Sequence, residues 1–171
     1  MALHLNNMET VYIGIGSNIG DKKGNCLDAI DRIGRLPGCR VENISRFYLT
    51  EPVGVEDSQD WYMNGVLSVI TSISALDLMK ELLEIEAELG RIRVKRWEPR
   101  VIDLDIILFG SKIIQEDHLV VPHPLMHQRR FVLKPMTDLA PDFVHPVLNK
   151  GMGELLLLLP EDRQAVKPVR D

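Results

Sequence analysis

The nine residues from Val101 to Phe109 are apolar or β-branched apart from Asp103 and Asp105, and Pro99 and Gly110 bracket them. That composition is a strand's. Side chains on a strand alternate between faces, so Ile102, Leu104, Ile106 and Leu108 are expected on one side and the two aspartates on the other. The chain must therefore build a sheet with an apolar face to bury and a second face that tolerates paired carboxylates. Residues two apart on a strand are separated by about 6.7 Å, and two charges at roughly 6 Å repel by about 3 kcal/mol at an effective dielectric near 20. Such a pair calls for a cation.

The segment just before the strand supplies positive charge. Arg91, Arg93, Lys95, Arg96 and Arg100 put five cations into ten residues of a chain whose net charge is -5. Carboxylate oxygens beside an arginine cluster suit magnesium carrying a polyphosphate, because magnesium takes one or two carboxylates, keeps waters and completes its octahedron with phosphate oxygens. Arginine forks grip the oxygens that remain. The chemistry indicated is phosphoryl or nucleotidyl transfer.

At 171 residues, 45% hydrophobic and 26% charged, the chain is expected to form one domain that buries roughly 70% of its unfolded surface. Cys26 and Cys39 make neither a ligand cluster nor a disulfide framework and suit a reducing cytosol as buried small hydrophobes. Met1 to Thr10 lacks a basic segment followed by an apolar one, and the leucine run Leu155–Leu159 is far too short to span a membrane. These features predict a soluble, cytoplasmic protein. The acidic balance argues against a nucleic-acid partner.

Along the chain, Val11, Ile13 and Ile15 alternate with Tyr12, Gly14 and Gly16, giving a strand with one bulky face and one bared face. The glycine spacing Gly14-x-Gly16-x-x-x-Gly20 is one residue too long for a dinucleotide fingerprint, and no P-loop lysine follows. A helix capped near Asp21 is expected to run to about Leu36 with Leu27, Ile30 and Ile33 buried, ended by Pro37-Gly38. Arg40 to Tyr48 reads as a strand, Thr50 to Asp60 as a loop and Tyr62 to Ile70 as a strand. Ser74 and Asp77 form a capping box for a helix to Leu89, with Leu76, Met79 and Leu83 at helical spacing. The order is βαββαβ, an α+β ferredoxin-like antiparallel sheet with two helices on one face. The other face would bring Asp103/Asp105, Gly14/Gly16 and Tyr62/Asn64 to one cleft. Helices near Phe131–Leu139 and Gly151–Leu159 and a polar tail complete the chain.

Seven motifs appear together and in order: Ile15-Gly16-Ser17-Asn18, Thr50-Glu51-Pro52-Val53-Gly54, Tyr62-x-Asn64, Gly90-Arg91-x-Arg93, Arg96 to Gly110, Pro122-His123-Pro124, and Arg129-x-Phe131-Val132-Leu133. Over residues 11 to 145 the chain resembles the 6-hydroxymethyl-7,8-dihydropterin pyrophosphokinases of folate biosynthesis. These move the β,γ-diphosphate of ATP onto a pterin alcohol and release AMP. The resemblance implies that Asp103 and Asp105 hold two magnesium ions, in the manner of a two-metal clamp. It implies that Arg91 and Arg100 act on the transferring phosphates, with Glu86, Arg93, Arg96 and His123 around ATP and Ile106 near adenine. The pterin would meet Tyr62 and Phe131 as stacking faces, Asn64 and the backbone near Thr50 and Val53 as hydrogen-bonding groups, and Trp97 on a closing loop. ATP and 6-hydroxymethyl-7,8-dihydropterin are the implied partners, and a monomer the implied state. Glu98 departs from the pattern, standing where a glycine is usual.

Taken singly, Tyr62 and Phe131 read as core aromatics, and only the joint motif reverses that. A single-stranded RNA binder on the same fold would need aromatic signatures that are absent, and its phosphates would be repelled by the aspartates. Another magnesium-dependent nucleotidyl transferase or cyclase on a similar sheet would release pyrophosphate where AMP is expected here.

Overall fold

The computed structural model describes residues 7–52, 58–91, 99–161 and 164–170. Strand β1 (Glu9–Ser17) leads into helix α1 (Lys22–Gly34), then β2 (Cys39–Ile44), β3 (Tyr48–Thr50), β4 (Tyr62–Thr71), α2 (Ala75–Glu88) and β5 (Asp103–Phe109). A hairpin of β6 (Ile114–Glu116) and β7 (Leu119–Val121) follows, then α3 (Arg130–Leu139), α4 (Met152–Leu158) and β8 (Val166–Pro168). The main sheet runs β5-β1-β4-β3-β8, with β2 also on β4, and β1 pairs antiparallel with both β4 and β5. This is the expected ferredoxin-like order.

Local chemistry starts both early helices where the sequence placed them. Asp21 accepts from the Gly24 N–H at 3.0 Å, and Ser74 accepts from the Asp77 N–H at 3.1 Å, each satisfying an otherwise orphaned amide. The two helices cover one sheet face, where Val11, Ile13, Ile15, Leu67, Ile102, Leu104 and Ile106 form a core with Ile33, Leu78 and Leu82. Ile30 and Ile33 are buried as expected, and the rest of the stripes differ. Leu27, Leu76 and Leu83 are exposed, while Cys26, Ala29, Leu78, Leu82 and Ile85 face the sheet. The leucine-rich α2 offers two registers of apolar spacing, and the sheet selects the one that fills it.

Three further expectations are corrected. The segment Arg40–Tyr48 is two strands, since Ser45 leaves the ladder to accept the Val66 N–H at 2.9 Å and donate to the Arg46 carbonyl. Leu108 does not share the face of Ile106. The β1–β5 register slips between Tyr12 and Ile13, and a bulge of this kind exchanges the faces beyond it. Leu108 accordingly packs with Tyr12, Val132 and Met136 on the opposite side of the sheet. That side carries α3 and α4, which cover part of the face expected to be open. Finally, the leucine run is only half core: Leu155 is buried, whereas Leu157 and Leu158 are exposed. Among the described residues no helix is long and apolar enough to cross a membrane.

Candidate active site

The antiparallel registers bring the aspartate face, the glycine face and the Asn64 face into one row. Asp103 lies opposite Gly16, Gly16 opposite Asn64, and Asn64 opposite Tyr48, across four strands. Gly16 is needed bare, because a β-carbon there would collide with the Asn64 side-chain oxygen. Asn64, buried, donates from Nδ2 to Thr50 Oγ1 at 2.5 Å. This row lies beside a cavity of about 450 Å³, whose lining includes Thr50, Tyr62, Asn64, Arg100, Asp103, Asp105, Arg129 and Phe131. The volume suits a small ligand.

The two carboxylates have different surroundings. Asp103 is gripped by two arginines, accepting from Arg91 Nη1 at 2.7 Å and from Arg100 Nη1 at 3.0 Å. Asp105 has no hydrogen bond or ion pair to the described residues. Burial, then the charges of Asp103 and Glu86, push its acid constant up to about 7 from the ordinary 3.8, against the pull of Arg129 and Arg91. A buried carboxylate whose charged form is resisted by its neighbours is one that a cation would favour. The donor set, hard oxygens two residues apart on one strand face, fits magnesium completed by waters and phosphate oxygens.

The two predicted catalytic arginines have different surroundings. Arg100 lines the cavity, and its backbone is pinned to Asn18: the Arg100 N–H donates to Asn18 Oδ1 at 2.7 Å, and the Asn18 N–H donates to the Arg100 carbonyl at 3.1 Å. Arg91 lies beneath, with its side chain 9% exposed, bridging Asp103 and Glu86 Oε1 at 2.5 Å. Glu86, 2% exposed, also accepts the Leu104 N–H at 2.8 Å. The pair Arg91–Glu86 thus buttresses β5, and Glu86 faces the strand and not the cavity. Removing one member of a buried ion pair strands the other, so Arg91→Ala is expected to cost about 3 to 5 kcal/mol of stability. Urea unfolding measures it; a loss below about 1 kcal/mol, the scale of a surface pair, would reassign Arg91 to the ligand.

Other predicted residues are placed as follows. Tyr62, Asn64, Thr50 and Phe131 all border the cavity. The Ile106 side chain belongs to the core under the helices, so it does not reach a ligand on the aspartate face. His123 is half-buried; its Nδ1 accepts the Leu125 N–H at 3.1 Å. Burial and the Arg129 charge lower its acid constant to about 4, although Asp103 opposes them, which leaves a neutral ring able to donate from Nε2. Val53, Arg93, Arg96 and Trp97 lie outside the described residues. Sequence reasoning assigned no role to Arg129, which stands 5.5 Å over the Phe131 ring, to Asn18, or to Gln164 on the cavity wall. Asn18 had one signal, a polar residue where a core strand ends.

Comparison with known proteins gives a consistent result. A family model described as 7,8-dihydro-6-hydroxymethylpterin-pyrophosphokinase matches residues 12–141. A 2-amino-4-hydroxy-6-hydroxymethyldihydropteridine pyrophosphokinase of Methylorubrum extorquens is 41% identical over 137 residues, covering 80% of this chain and 86% of that protein. One of Pseudomonas aeruginosa is 40% identical over 153 residues, covering 90% and 93%. In structure, the Plasmodium falciparum HPPK-DHPS determined with pteroate aligns with a TM-score of 0.70 at 14% identity, over 88% of this chain and 42% of that longer one. At that identity the likeness is one of fold.

Proposed function

The chain belongs to the 7,8-dihydro-6-hydroxymethylpterin-pyrophosphokinase family, and from that premise we propose that it transfers the β,γ-diphosphate of ATP to the hydroxymethyl group of 6-hydroxymethyl-7,8-dihydropterin, releasing AMP, in folate biosynthesis. The observation that carries this reading is the cavity that joins a carboxylate pair and the Arg100 guanidinium to two aromatic side chains and a buried amide. The proposed enzyme is one catalytic domain acting as a cytoplasmic monomer. Both of its cores pack on the same sheet.

In this proposal the pterin ring stacks between Tyr62 and Phe131, while Asn64 and the Thr50 backbone read its polar edge. The hydroxymethyl oxygen attacks the β-phosphorus, the bond from that phosphorus to the α-phosphate oxygen breaks, and AMP leaves. Arg100 follows the charge on the moving diphosphate, a task of positioning and neutralisation that requires no proton from it. Asp103 and Asp105 would hold two magnesium ions, which when bound supply charge neutralisation on the phosphate oxygens. Arg91 keeps Asp103 oriented, and Arg129 holds the Phe131 ring.

Product analysis tests the proposal. Purified protein with ATP, magnesium and the reduced hydroxymethylpterin should yield AMP and pterin diphosphate one for one, only with metal and pterin present. Release of pyrophosphate would make it a nucleotidyl transferase, and release of ADP an ordinary kinase.

A further inference from the structure

The C-terminal segment lies beyond the part of the chain that the family model matches, yet Gln164, two residues ahead of β8, reaches the cavity. Strand β3 is three residues long and is held on one side by β4 and on the other by β8, with Thr50 opposite Val166 and Tyr48 opposite Pro168. The contact continues past the end of β3. The Glu51 N–H donates to the Ala165 carbonyl at 3.1 Å, and Gln164 Nε2 donates to the Glu51 carbonyl at 2.8 Å. Both backbone polar groups of Glu51 are therefore taken by the C-terminal segment. Gln164 is 7% exposed, and it lines the cavity beside Thr50 and Asn64.

We propose that Gln164 is a positioning residue for the pterin: its amide on the Glu51 carbonyl fixes the adjoining Thr50 backbone, and with it the Thr50–Asn64 hydrogen bond, against the edge of the ring. The inference rests on the pterin reading above. The Glu51 carbonyl belongs to the peptide that leaves β3 toward Pro52, just past the last β3–β4 pair, Thr50 opposite Tyr62. A shift of the Glu51 carbonyl turns the chain at Thr50 and moves its hydroxyl, whose bond to Asn64 joins two buried side chains at the cavity wall. Phosphate binding draws on Asp103, Asp105 and Arg100, which are on β5 or just before it and do not depend on β8. The effect is therefore confined to the pterin.

The test uses Gln164→Glu, which is isosteric but presents an oxygen to the Glu51 carbonyl, and Gln164→Met, which keeps the bulk and loses the amide. Pterin KM and the pterin Kd by titration should rise about five- to twentyfold, the scale of one buried hydrogen bond lost. The kcat and the ATP KM should stay at the wild-type values. A lowered melting temperature with unchanged pterin KM would overturn the proposal, as would equal losses for ATP and pterin, or failure of both variants to fold. Wild-type protein that binds no pterin would instead defeat the functional reading and this inference with it.

Discussion

Replacing Asp105 with asparagine is expected to abolish turnover while stabilising the metal-free protein. Asp105 makes no ion pair with the described residues and ionises only near pH 7, because burial and the neighbouring Asp103 and Glu86 charges resist its negative form. In the unfolded chain it ionises near 3.8. Between those values the folded protein holds a proton that the unfolded chain has lost. Its contribution to stability therefore falls as pH rises through the window and is level above about 7. Asparagine has no such slope, so the melting-temperature advantage of the variant should open from about pH 4, grow to about pH 7 and then stay constant. The rate should drop by about a thousandfold or more, as for loss of a group that places transition-state charge. Wild-type turnover would remove Asp105 from the metal assignment, and parallel stability curves would show its charge already compensated. Asp103→Ala should differ, since Asp103 is the shared acceptor of Arg91 and Arg100: it should lose both turnover and stability.

Arg100→Ala should lower kcat by about a thousandfold, within the range for a single arginine that meets developing phosphate charge. The pterin Kd should be little changed. The backbone of Arg100 is held by Asn18 whatever side chain it bears, so the substitution removes a guanidinium and leaves the segment in place. Arg100→Lys should recover only part of the rate, because a point charge cannot reproduce the fork that spans a carboxylate and a phosphate oxygen. Loss of pterin affinity at unchanged kcat would contradict this role and transfer Arg100 to the pterin subsite. Comparing Arg91→Ala with Arg100→Ala separates the two positions: the first is expected to act chiefly on stability, the second chiefly on rate.

The contrast between those arginines shows how far the sequence could be read. Both precede the same strand and both stand in basic surroundings, so local chemistry gives them the same description. Their difference comes from Glu86, five residues before Arg91 at the end of α2, which accepts from the Arg91 guanidinium and is itself held under β5 by the Leu104 N–H. Ile106 is a similar case. Strand alternation placed it opposite the aspartates, and the core on that face confirms the alternation; the adenine contact implied by resemblance is not one its side chain can make. Gln164 had no local signal at all, being a polar residue in a polar tail until β8 pairs with β3.

The sequence by itself determined what depends on neighbours along the chain: the facing of Asp103 and Asp105, the bared Gly14 and Gly16, the caps at Asp21 and Ser74, and the βαββαβ order. Each follows from side-chain periodicity or from a hydrogen bond reaching three residues. Only the tertiary structure decided which leucines on α2 are buried, that a bulge sends Leu108 to the other face, that Arg91 meets Asp103, and that Gln164 ahead of β8 reaches the cavity. Those outcomes are settled by packing volume and by partners on other elements, and no local pattern encodes which group of another element will be close enough to complete a hydrogen bond or an ion pair.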